Sequence, residues 1–395
     1  MANTILTPTA VTRKALAILH QKLNFIGKID RQHDASFAIE GAKIGDTLKI
    51  RLPNQYTVTE GAALSVQDTS ETSVSLQLSE QDHVDTTFSS AELTLDLDDF
   101  SERILDPAMS VLAAKIESKA LSNMYLDVYN QANNVGSAAT MAKVLEARKK
   151  LVDNLAPGGF TANMDTQMNV DLVDAFKGFN QDAPSLAKQY KDGLIARTAS
   201  FDFFENTMMP IHTSGTDDGT GDYLANSAVA QTGSAITIDT GAGTLKKGDI
   251  VTFANCNRVH PETKVDTGVV QQFTVTADVA ASATTINISP SIVATGARQN
   301  VSNGIANNSA MTKIGGASAT YNVGLGYSKQ AFTFATADLV MPAGVDFAAR
   351  EVMDSISMRI VRSYDINSDK LPVRIDVLYG YKAQRPEMAV RMANN

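Results

Sequence analysis

Hydrophobic positions change period repeatedly along this chain. From Thr7 to Leu23 the apolar residues Val11, Ala15, Ile18, Leu19 and Leu23 recur at helical spacing and stop before Asn24 and Gly27. That pattern predicts an N-terminal arm with a helix. From Asp46 the period falls to two: Leu48, Ile50 and Leu52 alternate with Lys49 and Arg51 up to Pro53, and Val74, Leu76 and Leu78 alternate with Ser75 and Gln77. Between these strands Asn54 to Thr72 is polar and extended and holds Glu60-Gly61 and Asp68. A long hairpin apolar along one edge seldom stands alone in water, so a partner subunit is the economical receiver.

Asp106-Pro107 sets an N-cap before a proline at the first helical position, where the missing N–H does no harm. The predicted helix runs to about Asn133-Asn134, with Gly136 ending it, and carries a seam of Ala108, Leu112, Ile116, Ala120, Met124 and Val128. At about 27 residues it would be about 40 Å long, its seam winding about 40° per step of four. A second helix is predicted over Thr140 to Asn154, its Arg148, Lys149 and Lys150 in solvent near the C-terminal dipole. A third spans Met168 to Phe179, and Phe201, Phe203 and Phe204 then lead into Met208-Met209-Pro210.

The composition shifts at Thr213. A turn-rich run from Ser214 to Gly221 opens a stretch of short strands: Ile236 and Ile238, Leu245 to Phe253, Phe273 and Val275, Ile286 and Ile288. Such spacing predicts a small β-barrel, with a polar linker from Ser302 to Ser318 on its far side. The chain on both sides keeps one character, which marks the barrel as an insertion. After it come Asn322 to Phe332, Phe334 to Pro342, and a strand with Ile356, Met358, Ile360 and Val361. A polar turn at Asn367-Ser368-Asp369 then leads across Pro372 into a strand with Val373, Ile375, Val377 and Tyr379 on one face. Arg374, Asp376 and Leu378 take the other, so half of that strand is expected in the core.

With 395 residues the chain has room for two or three domains at roughly 150 residues each. Hydrophobic residues at 44% and charged residues at 19% are globular values. No apolar run approaches the ~18 residues that span a bilayer. Met1 to Leu19 shows no apolar leader with a cleavage site, and the expected folding compartment is a cytoplasm. The one cysteine, Cys256, excludes an intramolecular disulfide and Cys-based zinc clusters and is expected to fill a small buried gap. A net charge of −9 argues against a surface built to grip nucleic acid.

Candidate chemistry is thin. His20, His33, His83, His212 and His260 each lack a second His or a Cys at three or four residues, so no metal is expected. No Gly-x-Ser-x-Gly elbow or phosphate loop occurs, and Gly324-x-Gly326 lacks a third glycine. Asp96, Asp98 and Asp99 read as helix-capping carboxylates, and Asp217-Asp218-Gly219 with Asp222 as a turn lacking the ligand alternation of a calcium loop. No catalytic residue and no cofactor is assigned. Paired carboxylates for glycosidic cleavage are defined in space and stay open at this stage.

The segment from Tyr364 to Tyr381, followed by Arg385-Pro386-Glu387-Met388-Ala389-Val390-Arg391, resembles the closing segment of tailed-phage major capsid proteins of the podoviral coat family. The resemblance implies an α+β fold of HK-ninety-seven type with an inserted small β-barrel, the I-domain. It divides the chain into an N-terminal arm (1–34), an E-loop hairpin region (35–92), a P-domain spine helix (93–136), an A-domain (137–213), the I-domain (214–318) and a return to A-domain and P-domain strands (319–395). It further implies self-assembly into hexamers and pentamers of an icosahedral shell, with Arg51, Glu60 and Asp68 as candidate subunit contacts. The implied partners are more copies of the chain, a portal protein and an internal scaffolding protein. Double-stranded DNA would be enclosed without specific binding, no membrane would be involved, and assembly would take place in the host bacterial cytoplasm. Two alternatives share the missing catalytic motifs or leave them open: a tail or decoration protein, and a carbohydrate-acting enzyme.

Overall fold

The computed structural model describes residues 8–34, 47–88 apart from 65, 68 and 70, 104–175, 199–218, 223–239, 241–345, 347–366 and 370–394. The expected turn at 367–369, the acidic run at 96–99, the end of the third helix at 176–179, and Asp68, Gly219 and Asp222 lie outside the described residues. The chain divides into two compact units: Met1–Arg51, Ser73–Ala120 and Phe332–Gln384 form one, and Leu52–Thr72, Leu121–Ala331 and Arg385–Asn395 the other.

The first unit is built on a six-stranded sheet. Its strands are β1 (Asp30–Asp34), β4 (Glu80–Phe88), β15 (Phe332–Ala337), β16 (Phe347–Met353), β17 (Ile356–Arg362) and β18 (Leu371–Ala383). β18 is central: β4 pairs along one edge, while β17 and β15 follow each other along the opposite one. Val373, Ile375, Val377 and Tyr379 are buried as expected, but so are Asp376 and Leu378 on the other face. The expectation of a half-buried strand is therefore corrected. Alternation describes a strand with one wet face, whereas this one has neighbours on both edges and cover on both faces.

Asp376 is fully buried because it is paired. Arg359 binds it through Nε at 3.0 Å and Nη2 at 2.6 Å, and Gln81 Nε2 adds a bond of 2.9 Å. Such a forked, charge-assisted pair offsets the desolvation that an isolated carboxylate would suffer. Asp338 is held in a similar way. Burial alone would raise its carboxyl, but the Ser357 hydroxyl at 2.6 Å, His33 at 2.9 Å and Arg350 at 3.4 Å hold it below the usual range.

Helix α1 (Pro8–Lys22) lays Val11, Ala15, Ile18 and Leu19 on this unit and packs against β16 and β17. Helix α2 (Asp106–Met124) buries the expected seam together with Met109, Ala113 and Leu121. Its Glu117, 3% exposed, accepts hydrogen bonds from Phe25 N at 2.6 Å and Ile26 N at 3.3 Å. That carboxylate thus meets the free amides that open the 3₁₀ turn Ile26–Lys28.

Helix α2 has 19 residues, not the longer span expected from the periodic seam. A 3₁₀ turn follows at Tyr125–Asp127, Val128 is extended, and Gln131–Asn134 form β5, parallel to β19 (Ala389–Asn394). Residues 130–134 are Asn, Gln, Ala, Asn and Asn, mostly indifferent helix formers. Sheet pairing outcompetes the remaining turn of helix, with Asn130 Nδ2 donating to Ala389 O at 3.1 Å and Arg391 N to Asn130 O at 2.8 Å.

In the second unit β5, β19, β14 (Thr320–Tyr327), β6 (Phe160–Met164) and β7 (Phe201–Glu205) lie side by side, and β8 (Ile211–Thr213) adds to β14. Helices α3 (Met141–Asp153) and α4 (Thr166–Ala175) cover this sheet through Val144, Ala147, Leu151, Met168 and Leu172. The Gly324-x-Gly326 pair lies inside β14, where space decides its identity. A Cβ at Gly324 would stand 2.8 Å from Met168 Sδ, and one at Gly326 would meet Phe201 and Val390 at 3.0 and 3.1 Å. On α3, Arg148 and Lys149 are exposed as expected, but Lys150 is half-buried, donates to Gln272 Oε1 at 3.1 Å, and has its pKa lowered by burial.

Residues 223–314 build a separate sheet in the order β13 (Met311–Ile314), β10 (Ile250–Val259), β11 (Asp266–Val275), β12 (Thr285–Ile292), β9 (Gly233–Thr237). Its own core includes Tyr223, Ile236, Phe253, Cys256, Phe273, Ile286 and Val301. Leu224 bridges to Ala310 and Ala225 to Ile238, tying the two edge strands together. The expected linker at 302–318 is corrected: it contains β13 and the Ile305–Gln231 bridge. Polar composition there reflects an edge strand with one exposed face. The expected strand over Leu245 to Phe253 begins only at Ile250, because Lys246 to Gly248 turn, with Gly248 at φ +96°. Asp249 closes that turn by accepting from Lys246 N at 2.8 Å.

A buried guanidinium joins this sheet to the larger one. Arg391 on β19, with no exposed surface, donates to Gly248 O at 2.6 Å, Leu126 O at 3.0 Å and Thr274 Oγ1 at 3.1 Å, and lies over the Tyr125 ring. Beside it His212 Nε2 contacts Asp249 Oδ1 at 2.9 Å and His212 Nδ1 contacts the Tyr125 hydroxyl at 3.1 Å.

Asp376→Ala is expected to lower the stability of the chain by about 3–5 kcal/mol, since it strands Arg359 without its carboxylate. Urea unfolding followed by circular dichroism measures this, and an unchanged midpoint would refute the pairing argument. Asp338 carries a pH dependence of known sign. Its folded pKa is depressed, so its contribution is complete above the unfolded value of about 3.9 and is lost as pH falls through the folded value. Asp338→Asn should therefore destabilise the protein at neutral pH, and the difference from the parent chain should shrink to nothing in strong acid.

Candidate functional site

Strands β2 (Thr47–Leu52) and β3 (Thr72–Gln77) pair as a two-stranded ribbon. Its base is anchored in the first unit: Ile50, Leu76 and Leu78 are buried with Ala335, Ala337, Leu339 and Leu378, and Leu48 packs against them. The period-two residues thus do what their spacing predicts. Arg51 sits on the exposed face of β2.

Beyond the base the character reverses. Across 53–72 Tyr56 is 57% exposed, Val58 95%, Leu64 91% and Val66 81%. Gly61, at φ +109°, turns the chain. Gln67 joins the limbs: its Oε1 accepts from Thr57 N at 2.9 Å, and its Nε2 donates to Thr57 O at 2.5 Å. Glu60 is exposed next to the turn, and Asp68 lies outside the described residues. Arg51 and Glu60 are spread along the ribbon and are not brought together. The apolar four lie in a stretch of polar overall composition, although Tyr56/Val58 and Leu64/Val66 each repeat at a spacing of two, the signal of a strand-like face.

Among the described residues, His33, His83, His212 and His260 are engaged in structure. His33 binds Asp338, His83 binds Asp85 and His212 binds Asp249, each at 2.9 Å, while His260 Nδ1 accepts from Glu262 N and Thr263 N. Among the described residues no group of three or more His, Cys, Asp or Glu is placed to hold a metal ion. No described helix is long and apolar enough to cross a membrane. Cys256 is buried, its Sγ 3.6 Å from Asn303 O, and burial pushes its thiol up to about 12. A thiol so protonated is a packing residue. Lys119 bridges Glu80 at 2.7 Å and Asp82 at 3.1 Å, and the Tyr379 hydroxyl donates to Asp82, which ties α2 to β4 and β18.

The profile of the family described as P22 coat protein, gene protein 5, matches residues 32–393. No curated protein sequence matches the chain. Similar solved structures include the capsid of the cyanophage P-SCSP1u, at 10% identity and a TM-score of 0.46, covering 93% of this chain and 86% of that one. The mature capsid of bacteriophage PhiM1 has 9% identity, a TM-score of 0.46 and coverage of 94% and 87%. Mycobacterium phage Che8 has 10% identity, a TM-score of 0.44 and coverage of 91% and 88%. With nearly its whole length matched by the family profile, this chain belongs to the P22 coat protein family and is a phage major capsid protein that forms the virion shell.

Proposed function

We propose that this subunit is a podoviral coat protein of HK-ninety-seven type whose hairpin region, 35–92, is an E-loop that straps the neighbouring copy. One observation carries the reading: the ribbon is anchored at its base yet presents Tyr56, Val58, Leu64 and Val66 to solvent. Exposed apolar side chains in a rigidly anchored ribbon mark an interaction surface. Arg51, Glu60 and Asp68 serve as polar contacts around them. The N-terminal arm occupies 1–34, the P-domain segment with its helix α2 93–136, the A-domain 137–213 and the return strands 319–395.

The segment 214–318 is assigned as the inserted I-domain, a small barrel that aids folding of the subunit and sets shell size. Its support is a core of its own and the bridges from Leu224 and Ala225 to both edges of its sheet. The chain acts by association and not by catalysis. Each contact is modest, and multiplicity makes the lattice stable. A portal protein and an internal scaffolding protein are the further partners, and assembly takes place in the host cytoplasm. A net charge of −9 supports a shell that encloses double-stranded DNA without gripping it.

Deleting residues 54–72 should leave a folded subunit with the circular dichroism of the parent chain and no closed shells in electron micrographs. Normal shells from the deletion would remove the strapping role and leave the family assignment standing.

A further inference from the structure

One buried titratable pair lies on the contact between the smaller sheet and the larger one. His212 is on β8, opposite Tyr321 of β14, and is 3% exposed. Asp249, 1% exposed, closes the turn that opens β10. Its Oδ2 accepts from Gly215 N at 3.0 Å and Lys246 N at 2.8 Å, and its Oδ1 faces His212 Nε2 at 2.9 Å. Packing on the ring is close: a Cβ at Gly248 would stand 3.0 Å from His212 Cε1.

The partners assign the tautomer. An ionised carboxylate only accepts, so Nε2 carries the hydrogen and donates it to Asp249. Nδ1 is then an acceptor, and the Tyr125 hydroxyl at 3.1 Å is its donor. Burial raises the pKa of Tyr125, which keeps that hydroxyl protonated. A neutral imidazole is therefore satisfied on both nitrogens, one bond reaching the smaller sheet and the other the 3₁₀ turn Tyr125–Asp127.

A second proton disturbs this arrangement twice. On Nδ1 it meets the Tyr125 hydroxyl donor to donor, and the hydroxyl loses that acceptor. It also adds charge to a site that already holds two buried cations. Arg391 from β19 lies over the Tyr125 ring, and Lys313 from β13 donates to Gly215 O at 2.7 Å and Gly316 O at 2.8 Å. Tyr321, its pKa raised to about 12 by burial, offers the imidazole a ring and no charge. Asp249 is the carboxylate in contact with the imidazole, and it acts on both cations as well; Asp217 and Asp218 act on Lys313, and Asp127 on Arg391. Burial lowers the pKa of Lys313 in spite of those carboxylates, so the site is poor ground for a further cation.

We propose that His212 is a proton-operated latch between the two sheets: the neutral ring holds Asp249 and the smaller sheet in place, and protonation at Nδ1 loosens the contact. The loosened form binds one more proton than the docked form. Docking is therefore complete at higher pH and is lost as pH falls through the mildly acidic range in which histidines change charge. The latch lies within one chain and is independent of the strapping role.

Hydrogen exchange of the full-length chain, read by mass spectrometry on the 211–217 peptide and referred to the intrinsic rate at each pH, tests it. Gly215 N, bonded to Asp249 Oδ2, reports the contact directly. Protection there should fall about tenfold between about pH 7.5 and about pH 5.5, while β6 stays unchanged. His212→Gln keeps a donor for Asp249 and does not titrate, so it should abolish the fall. An equal fall in His212→Gln would overturn the latch. Protection that rises in acid would do so too, because the charged pair would then be the tighter one. Nitrogen NMR of the histidine rings in the parent chain gives a second measurement that needs no variant to fold. One imidazole should show the Nε2–H tautomer at the higher pH and take up its second proton with the same midpoint as the loss of protection. A loss that matches no imidazole midpoint, or no loss at all, would refute the proposal.

Discussion

A two-stranded ribbon cannot bury its own apolar face, and most of this subunit's design follows from that constraint. Two strands supply one layer, and a layer needs a second to exclude water. At its base the ribbon finds that second layer inside the subunit, where Ile50, Leu76 and Leu78 meet Ala335, Ala337 and Leu378. Further out Tyr56, Val58, Leu64 and Val66 remain exposed. The same sequence pattern is thus satisfied within the chain at one end and left to association at the other. On the proposed strapping role, the two ends divide the work: the buried base anchors the ribbon, and the exposed face is what a neighbouring copy would cover.

The second unit applies a related economy to polar groups. Its smaller sheet has a contiguous stretch of chain and a core of its own, so hydrophobic burial alone does not orient it. Orientation falls to directional bonds. Arg391 reaches from the last strand to Gly248 O and Thr274 Oγ1 on one side and Leu126 O on the other. A planar cation with fixed donor directions specifies position more narrowly than an apolar contact of equal area.

Much of this architecture was legible in the residues. Period-two stretches gave β2 and β3 their faces, and the run of apolar residues at spacings of four gave α2 its buried seam. What periodicity could not supply was the outcome of competition between partners. Residues 125–134 continue the helical spacing at Val128, yet they leave the helix because β19 offers a sheet edge. β18 alternates in sequence, yet it buries both faces because Arg359 neutralises the one carboxylate that alternation would have sent to solvent. In each case a residue distant in sequence decided the matter. The apolar strap was missed for the converse reason: four apolar residues dispersed among Thr, Gln, Ala and Ser average to a polar segment, although position by position they share a spacing of two.

The charge distribution completes the picture. A shell that held its subunits by net attraction between whole molecules would need complementary species, and identical copies of a −9 chain repel one another at long range. Assembly of like-charged copies must therefore rely on contacts short enough to escape screening and local enough to reverse the sign. The long-range repulsion then becomes useful. It disfavours random aggregation of exposed valines and leaves the encounters in which apolar burial at short range outweighs it.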